Sequence, residues 1–195
     1  IPKITEFNRG DNFGNAYFQM NQRSGKRWSA TSAYLKPAMS RPNLHVVTNA
    51  QVEKLKLESQ NGCQRATGVT VCLNGKETVQ FNARCEVLLS AGAIGSPQIL
   101  QLSGIGPGEL LQARGIEVKH ELAGVGENLH DHLQVRSVYK VKHTVTLNQR
   151  ANSLFGKAMM GLEYLLFKTG PLTMPPSQLG AFAKSDPDQA SANIE

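Results

Sequence analysis

Apolar positions along this chain recur at two spacings, and the spacing changes part-way along. Leu44-His-Val-Val-Thr48 reads as a short strand, and Gln51 to Leu57 alternates through Val52, Leu55 and Leu57. Ala66 to Cys72 and Glu77 to Phe81 are two further strand-like runs. The link between them, Leu73-Asn-Gly-Lys76, carries an Asn-Gly pair, which tolerates the positive φ of a tight hairpin turn. Glu86-Val-Leu-Leu-Ser90 returns as a buried strand. The block predicts a small antiparallel meander set between two strands of a larger, parallel sheet.

The next segment is the most informative of the chain. After Ser90, the small residues Ala91, Gly92, Ala93 and Gly95 let backbone pass close to something bulky. Ser96 suits a helix N-cap and Pro97 the first helical position, while Gly104 and Gly106 close that helix before Pro107 starts another. Strand, small-residue crossing and helix form the layout that brings a ligand to a helix N-terminus at a sheet edge. Glu109 to Arg114 predicts a short helix, Ile116 to His120 a strand, and Gly124-Val-Gly126 a turn. Leu133 to Leu147 alternates through Val135, Val138, Val141 and Val145 and reads as sheet. Phe155, Met159, Leu162 and Leu166 then fall at helical spacing, predicting a core-facing amphipathic helix over 152–167 that ends at Gly170-Pro-Leu-Thr-Met-Pro-Pro176. Upstream, 1–24 signals little regular structure, and a helix is expected over 29–39, broken by Arg41-Pro-Asn.

Composition narrows the class. Hydrophobic residues make up 40% of the 195 positions, with 18 Gly and 9 Pro, which suits a turn-rich folded protein and not a disordered one. No apolar run approaches the ~20 residues a bilayer span needs, and no signal-peptide layout is present. The net charge of +6 comes from dispersed Lys and Arg, with no like-charge block and only 6% aromatics, so a solvated surface is favoured over a nucleic-acid interface. Cys63, Cys72 and Cys85 are odd in number and form no C-x-x-C, which points to reduced structural thiols in a cytoplasmic compartment.

Three ordered motifs carry a resemblance. Ser90-Ala-Gly-Ala-Ile-Gly-Ser-Pro-Gln-Ile-Leu-Gln-Leu-Ser-Gly-Ile-Gly-Pro107 closely resembles the second signature of the glucose–methanol–choline (GMC) family of flavin-dependent alcohol oxidoreductases. Leu122-Ala-Gly-Val-Gly-Glu-Asn-Leu-His-Asp-His-Leu133 is similar to that family's Gly-Val-Gly-x-Asn-Leu-x-Asp-His block. Gly25-Lys-Arg-Trp-Ser-Ala-Thr-Ser-Ala-Tyr-Leu35 resembles its Gly-x-Arg-x-Ser-x-x-x-Ala-Tyr-Leu segment. Gly95 departs from the pattern, standing where many members carry Asn.

The resemblance implies an α/β (mixed α+β) fold: part of a glutathione-reductase-like FAD domain with its antiparallel meander, plus part of a substrate-domain sheet. Residues 1–133 would be the central part of the FAD-binding domain, and 134–195 the beginning of the substrate-binding domain. The family's dinucleotide fingerprint and its catalytic histidine have no counterpart here. Gly104-Ile-Gly-Pro-Gly108 and Gly124-Val-Gly126 lack the strand-to-helix context of G-x-G-x-x-G. The chain therefore reads as an internal fragment, inactive alone, with no catalytic residue of its own. The parent is expected to oxidise a primary alcohol, with a histidine as general base and flavin N5 as hydride acceptor. The stretches 161–174 and 179–186 look most like the choline-dehydrogenase and aliphatic-alcohol-dehydrogenase branch, whose members pass electrons to a quinone-type or dye-like acceptor. That branch leaves peripheral attachment to the inner membrane open for the parent.

Four positions are candidate cofactor contacts. Val52, in Asn49-Ala-Gln-Val52, matches the place where the family offers backbone to the adenine of FAD. The plainer reading is an inward-facing strand valine. Ala91, Gly92 and Ala93 would admit a ribose or pyrophosphate, or else pack helix against strand. His130-Asp-His132 suggests a metal pair at first sight, but no further ligand at supportive spacing accompanies it, and a hydrogen-bonded turn is expected. Ser96 and Ser103 lack a G-x-S-x-G elbow and read as capping and turn residues. Trp28 is the lone tryptophan available to an aromatic cage for a quaternary ammonium. A reading from another class is a non-catalytic module that binds a ligand or partner through an exposed sheet.

Overall fold

The computed structural model describes residues 1–175 and 177–195. The chain divides into two compact units, one of residues 1–45 with 137–195 and one of residues 46–136.

The first unit begins irregularly. Strand β1 (Gly14–Tyr17) is followed by a hairpin of β2 (Gln22–Arg23) and β3 (Lys26–Arg27). The helix expected over 29–39 is a π-helical turn at Thr31–Leu35 running into α1 (Lys36–Ala38). Pro37 explains the widening: it has no N–H for the carbonyl of Ala33, and the Lys36 N–H instead reaches Thr31 O, five residues back.

The second unit holds the expected meander, with longer strands. Strands β4 (Ala50–Gln60), β5 (Cys63–Leu73) and β6 (Glu77–Asn82) pair antiparallel in that order. Asn74 and Gly75 both have positive φ, as the Asn-Gly hairpin requires, and the second Asn-Gly pair, Asn61-Gly62, makes the other turn the same way. A register shift between Val52 and Lys54 bulges β4. The flanking runs 44–48 and 86–90 form no strand. Hydrophobicity can mark a strand, but a strand needs a ladder, and neither run joins one of the sheets.

Helix α2 (Gly92–Leu102) follows, then β7 (Ile105–Gly106), α3 (Gly108–Ala113) and β8 (His120–Glu121), with β7 and β8 parallel. The helix starts four residues before the expected Ser96 cap. Ser96 Oγ reaches back to accept from the Ala91 N–H at 3.0 Å, and Pro97 lies inside the helix. Val71, Ile99, Leu111 and Val125 form the apolar centre of this unit. Leu111 is 1% exposed and makes α3 the anchor of the 105–121 segment.

Residues 133–146, which run from the end of the second unit into the first, form no strand, and Leu133 and Val138 are 97% and 95% exposed. The alternation predicts sheet here, but the ladder that would define a strand is not formed. Helix α4 (Leu147–Asn152) opens with a capping box: Thr146 Oγ1 accepts from Gln149 N, and Gln149 Oε1 accepts from Thr146 N. Helix α5 (Leu154–Phe167) matches the helical spacing, but its face is not core-facing. Met160 is buried, whereas Phe155 is 76% exposed and Met159, Leu162 and Leu166 are exposed too. Strand β9 (Leu179–Phe182) pairs antiparallel with β1, Gly14 opposite Phe182. Ile4 and Ala16 are buried beside that pairing, and Phe7 stacks edge-on against Phe182. The expected stop over 170–176 ends on Pro176, which lies outside the described residues. No helix among the described residues is long and apolar enough to cross a membrane.

Candidate functional site

Helix α2 organises the candidate site because it begins without a side-chain cap and without an acidic residue in its first turn. Its N–H groups there lack intrahelical partners, so they suit a polar or anionic ligand. Gly92 has φ +83, a conformation that L side chains rarely adopt, and the place a Cβ would occupy has nothing within 4 Å. Pro97 has no N–H to give the Ala93 carbonyl, which further loosens this end of the helix.

Beside it lies an open cavity of about 730 Å³. One wall is α2, through Ala93, Ile94, Ser96, Pro97, Gln98, Leu100 and Gln101; the other is the loop 124–130. Two contacts hold that loop. Val125 is buried, and its carbonyl accepts from Gln101 Nε2 at 3.0 Å. Gly126 has φ +88 and passes so close to Gln101 that a Cβ would stand 2.8 Å from Nε2. The cavity size, its apolar and main-chain walls and the open helix end fit a large, partly polar ligand such as a dinucleotide cofactor.

The candidate residues fall in two places. Ala93 lines the cavity, and Ala91 and Gly92 precede it at the exposed mouth of α2. Val52 is on β4, half-buried and opposite Val71, with its carbonyl accepting from the Gln51 side chain at 3.3 Å. Its neighbours Ala50 and Gln51 line a separate opening of about 470 Å³ with Asn49 and Asn74. Sequence reasoning overlooked Gln101 and Ser103 as the residues that join these parts. Ser103 is 5% exposed; its Oγ accepts from the Leu55 N–H of β4 at 2.8 Å and donates to Ile99 O at 2.5 Å. Only the position of Ser103 at the helix end was a signal, and that suggested capping.

His130 lines the cavity, while Asp131 Oδ1 accepts from the His132 N–H at 2.8 Å, a local turn contact. Among the described residues, no group of three or more His, Cys, Asp and Glu side chains could hold a metal ion. Trp28 is half-buried, and the guanidinium of Arg23 lies 5.0 Å from its ring centre, so that face already holds a cation. Cys63, Cys72 and Cys85 are free thiols.

The sequence profile of the GMC oxidoreductases matches residues 2–134. The chain belongs to that family. Two relatives named oxygen-dependent choline dehydrogenase are similar to it. One, from Staphylococcus epidermidis, is 43% identical over 180 residues, 91% of this chain and 30% of its own length. Another, from Staphylococcus xylosus, is 41% identical over 193 residues, 99% of this chain and 33% of its own length. Among solved structures, a fungal aryl-alcohol oxidase has a TM-score of 0.80 at 26% identity, covering 93% of this chain and 31% of its own. An FAD-dependent oxidoreductase from Chaetomium thermophilum has a TM-score of 0.70 at 28% identity, covering 84% and 28%. This GMC chain thus spans about a third of the length of the curated relatives it matches. Its mixed α/β architecture with an antiparallel meander is that of GMC FAD-binding oxidoreductases.

Proposed function

We propose that the whole protein is an FAD-dependent oxidoreductase that converts a primary alcohol, choline or an aliphatic alcohol, to the aldehyde. The observation that carries this reading is the 41–43% identity to choline dehydrogenases over nearly all of the chain. The open start of α2 beside its cavity supports it, because a dinucleotide needs such a place. When bound, FAD supplies the hydride acceptor.

The roles we assign to this chain's residues are binding roles. The N–H groups at Gly92 and Ala93 face the polar parts of the cofactor, Ala91 lies against it with its own N–H held by Ser96 Oγ, and Gly92 keeps side-chain atoms out of its path. The main chain at Val52 meets the adenine. None of the residues is assigned proton abstraction. We place 1–133 in the FAD-binding part and 134–195 at the start of the substrate part. That assignment concerns which ligand each segment meets, and the compact units divide the chain on a different basis. The electron acceptor on this reading is a quinone or a dye that replaces it.

The test is dye reduction by the whole protein loaded with FAD, with choline and with medium-chain primary alcohols. Alcohol-dependent reduction above a no-protein control supports the proposal. Bound flavin that no alcohol reduces would reject the substrate class, and failure to retain flavin would reject the cofactor.

A further inference from the structure

Strand β4 pairs with β5 on one side only, so the backbone groups along its other edge need partners from elsewhere. The Leu55 N–H finds one in Ser103 Oγ, 48 residues away in sequence. The same hydroxyl donates to Ile99 O, within α2, so it is fully engaged on both sides. At 5% exposure Ser103 is buried, so losing either bond would leave a buried polar group short of a partner. The contact falls one residue beyond the register shift between Val52 and Lys54, and at the opposite end of α2 from Ala91–Ala93. One buried hydroxyl therefore connects the strand that carries Val52 with the helix that carries the other candidate contacts.

We infer that Ser103 is a positioning residue for the cofactor site: its hydroxyl fixes the spacing between Val52 on β4 and Ala91–Ala93 at the start of α2. The inference rests on the FAD reading above and deepens it. A cofactor that touches both segments gains affinity when their spacing is set in advance, since ordering them on binding would cost part of its contact energy. Ser103 itself meets no ligand.

The experiment uses the whole protein in four forms: native, Ser103→Ala, Ser103→Thr and Leu111→Ala. Each is stripped of flavin; its FAD dissociation constant is then measured by titration and its melting temperature without flavin recorded. Leu111 is the most buried side chain of the unit and lines no part of the α2 cavity, so its truncation reports what general destabilisation does to affinity. Ser103→Ala is expected to weaken FAD binding about tenfold beyond Leu111→Ala at an equal loss of melting temperature, the factor for a lost buried hydrogen bond. Ser103→Thr is expected to stay within about threefold of native, because a threonine hydroxyl also bonds the carbonyl four residues back in a helix. If Ser103→Ala does not fold, Ser103→Cys, whose sulfur is a weak acceptor, takes its place under the same criterion. Affinity of Ser103→Ala (or of its Cys substitute) equal to native, or reduced no more than in Leu111→Ala, overturns the inference alone. Absence of FAD binding by the native protein instead overturns the proposed function, and this inference with it.

Discussion

Replacing Gly126 by alanine disturbs two things that can be separated. The first is backbone: at φ +88 an L residue is strained, at a cost of about 1 kcal/mol. The second is a contact. The new Cβ would lie 2.8 Å from Gln101 Nε2, the atom that donates to Val125 O. A glutamine end can swing aside, but only by giving up that part-buried bond, worth about 1 kcal/mol. Gly126→Ala should therefore cost about 2 kcal/mol and Gln101→Ala about 1 kcal/mol. In the Gln101→Ala background only the backbone cost is left, so the pair should show a coupling of about 1 kcal/mol. Urea unfolding of the whole protein in its flavin-free form, for native, both single variants and the double, measures it. Strictly additive costs would refute the clamp between Gln101 and the 124–130 loop, and an unchanged midpoint for Gly126→Ala would refute the strain as well.

Other outcomes follow from the same geometry. Gly92→Val should lower the flavin-to-protein absorbance ratio after purification, because a branched side chain is strained at φ +83 and would stand at the open mouth of α2; full flavin occupancy would remove Ala91–Ala93 from the site. Protein purified without an affinity tag should carry no stoichiometric Zn, Fe or Cu. Elemental analysis giving one equivalent that survives dialysis and is lost in a His130→Ala, His132→Ala double variant would show that 130–132 ligates metal. Thr146→Ala removes one half of the α4 capping box and should cost about 1 kcal/mol, read as faster amide exchange in 147–152. Unaltered exchange there would mean that the cap does not hold the helix.

Features set by neighbouring residues were legible in the sequence, and features set by distant partners were not. Asn74-Gly75 announces its turn because two adjacent residues with positive φ are enough, and Asn61-Gly62 carries the same signal for the turn that was passed over. The helical spacing of Phe155, Met159, Leu162 and Leu166 located α5 but could not say what covers that face. Ser96-Pro97 imitates a helix start in local terms, yet the helix begins at Gly92, where the backbone turns through positive φ. In 133–147 alternation marked a face, whereas strand formation depends on a partner that alternation cannot supply. Within the candidate site, the small residues 91–93 stood out through composition alone. Ser103 did not, because its bond to Leu55 spans 48 positions and leaves no local pattern.

The pairing of β1 with β9 also fixes an order of events during synthesis. Residues 14–17 leave the ribosome before the meander, but their partners at 179–182 are made 162 positions later for the Tyr17–Leu179 pair and 168 for the Gly14–Phe182 pair. At roughly 5–20 residues per second, the early strand waits on the order of ten to thirty seconds with its hydrogen-bonding edge unpaired. The meander at 50–82 has no such delay, since each of its strands meets a neighbour across a short turn, and hairpins close in roughly microseconds. On the nascent chain the meander is thus complete while β1 is still open, and a chain released before residue 179 would carry β1 without its mate.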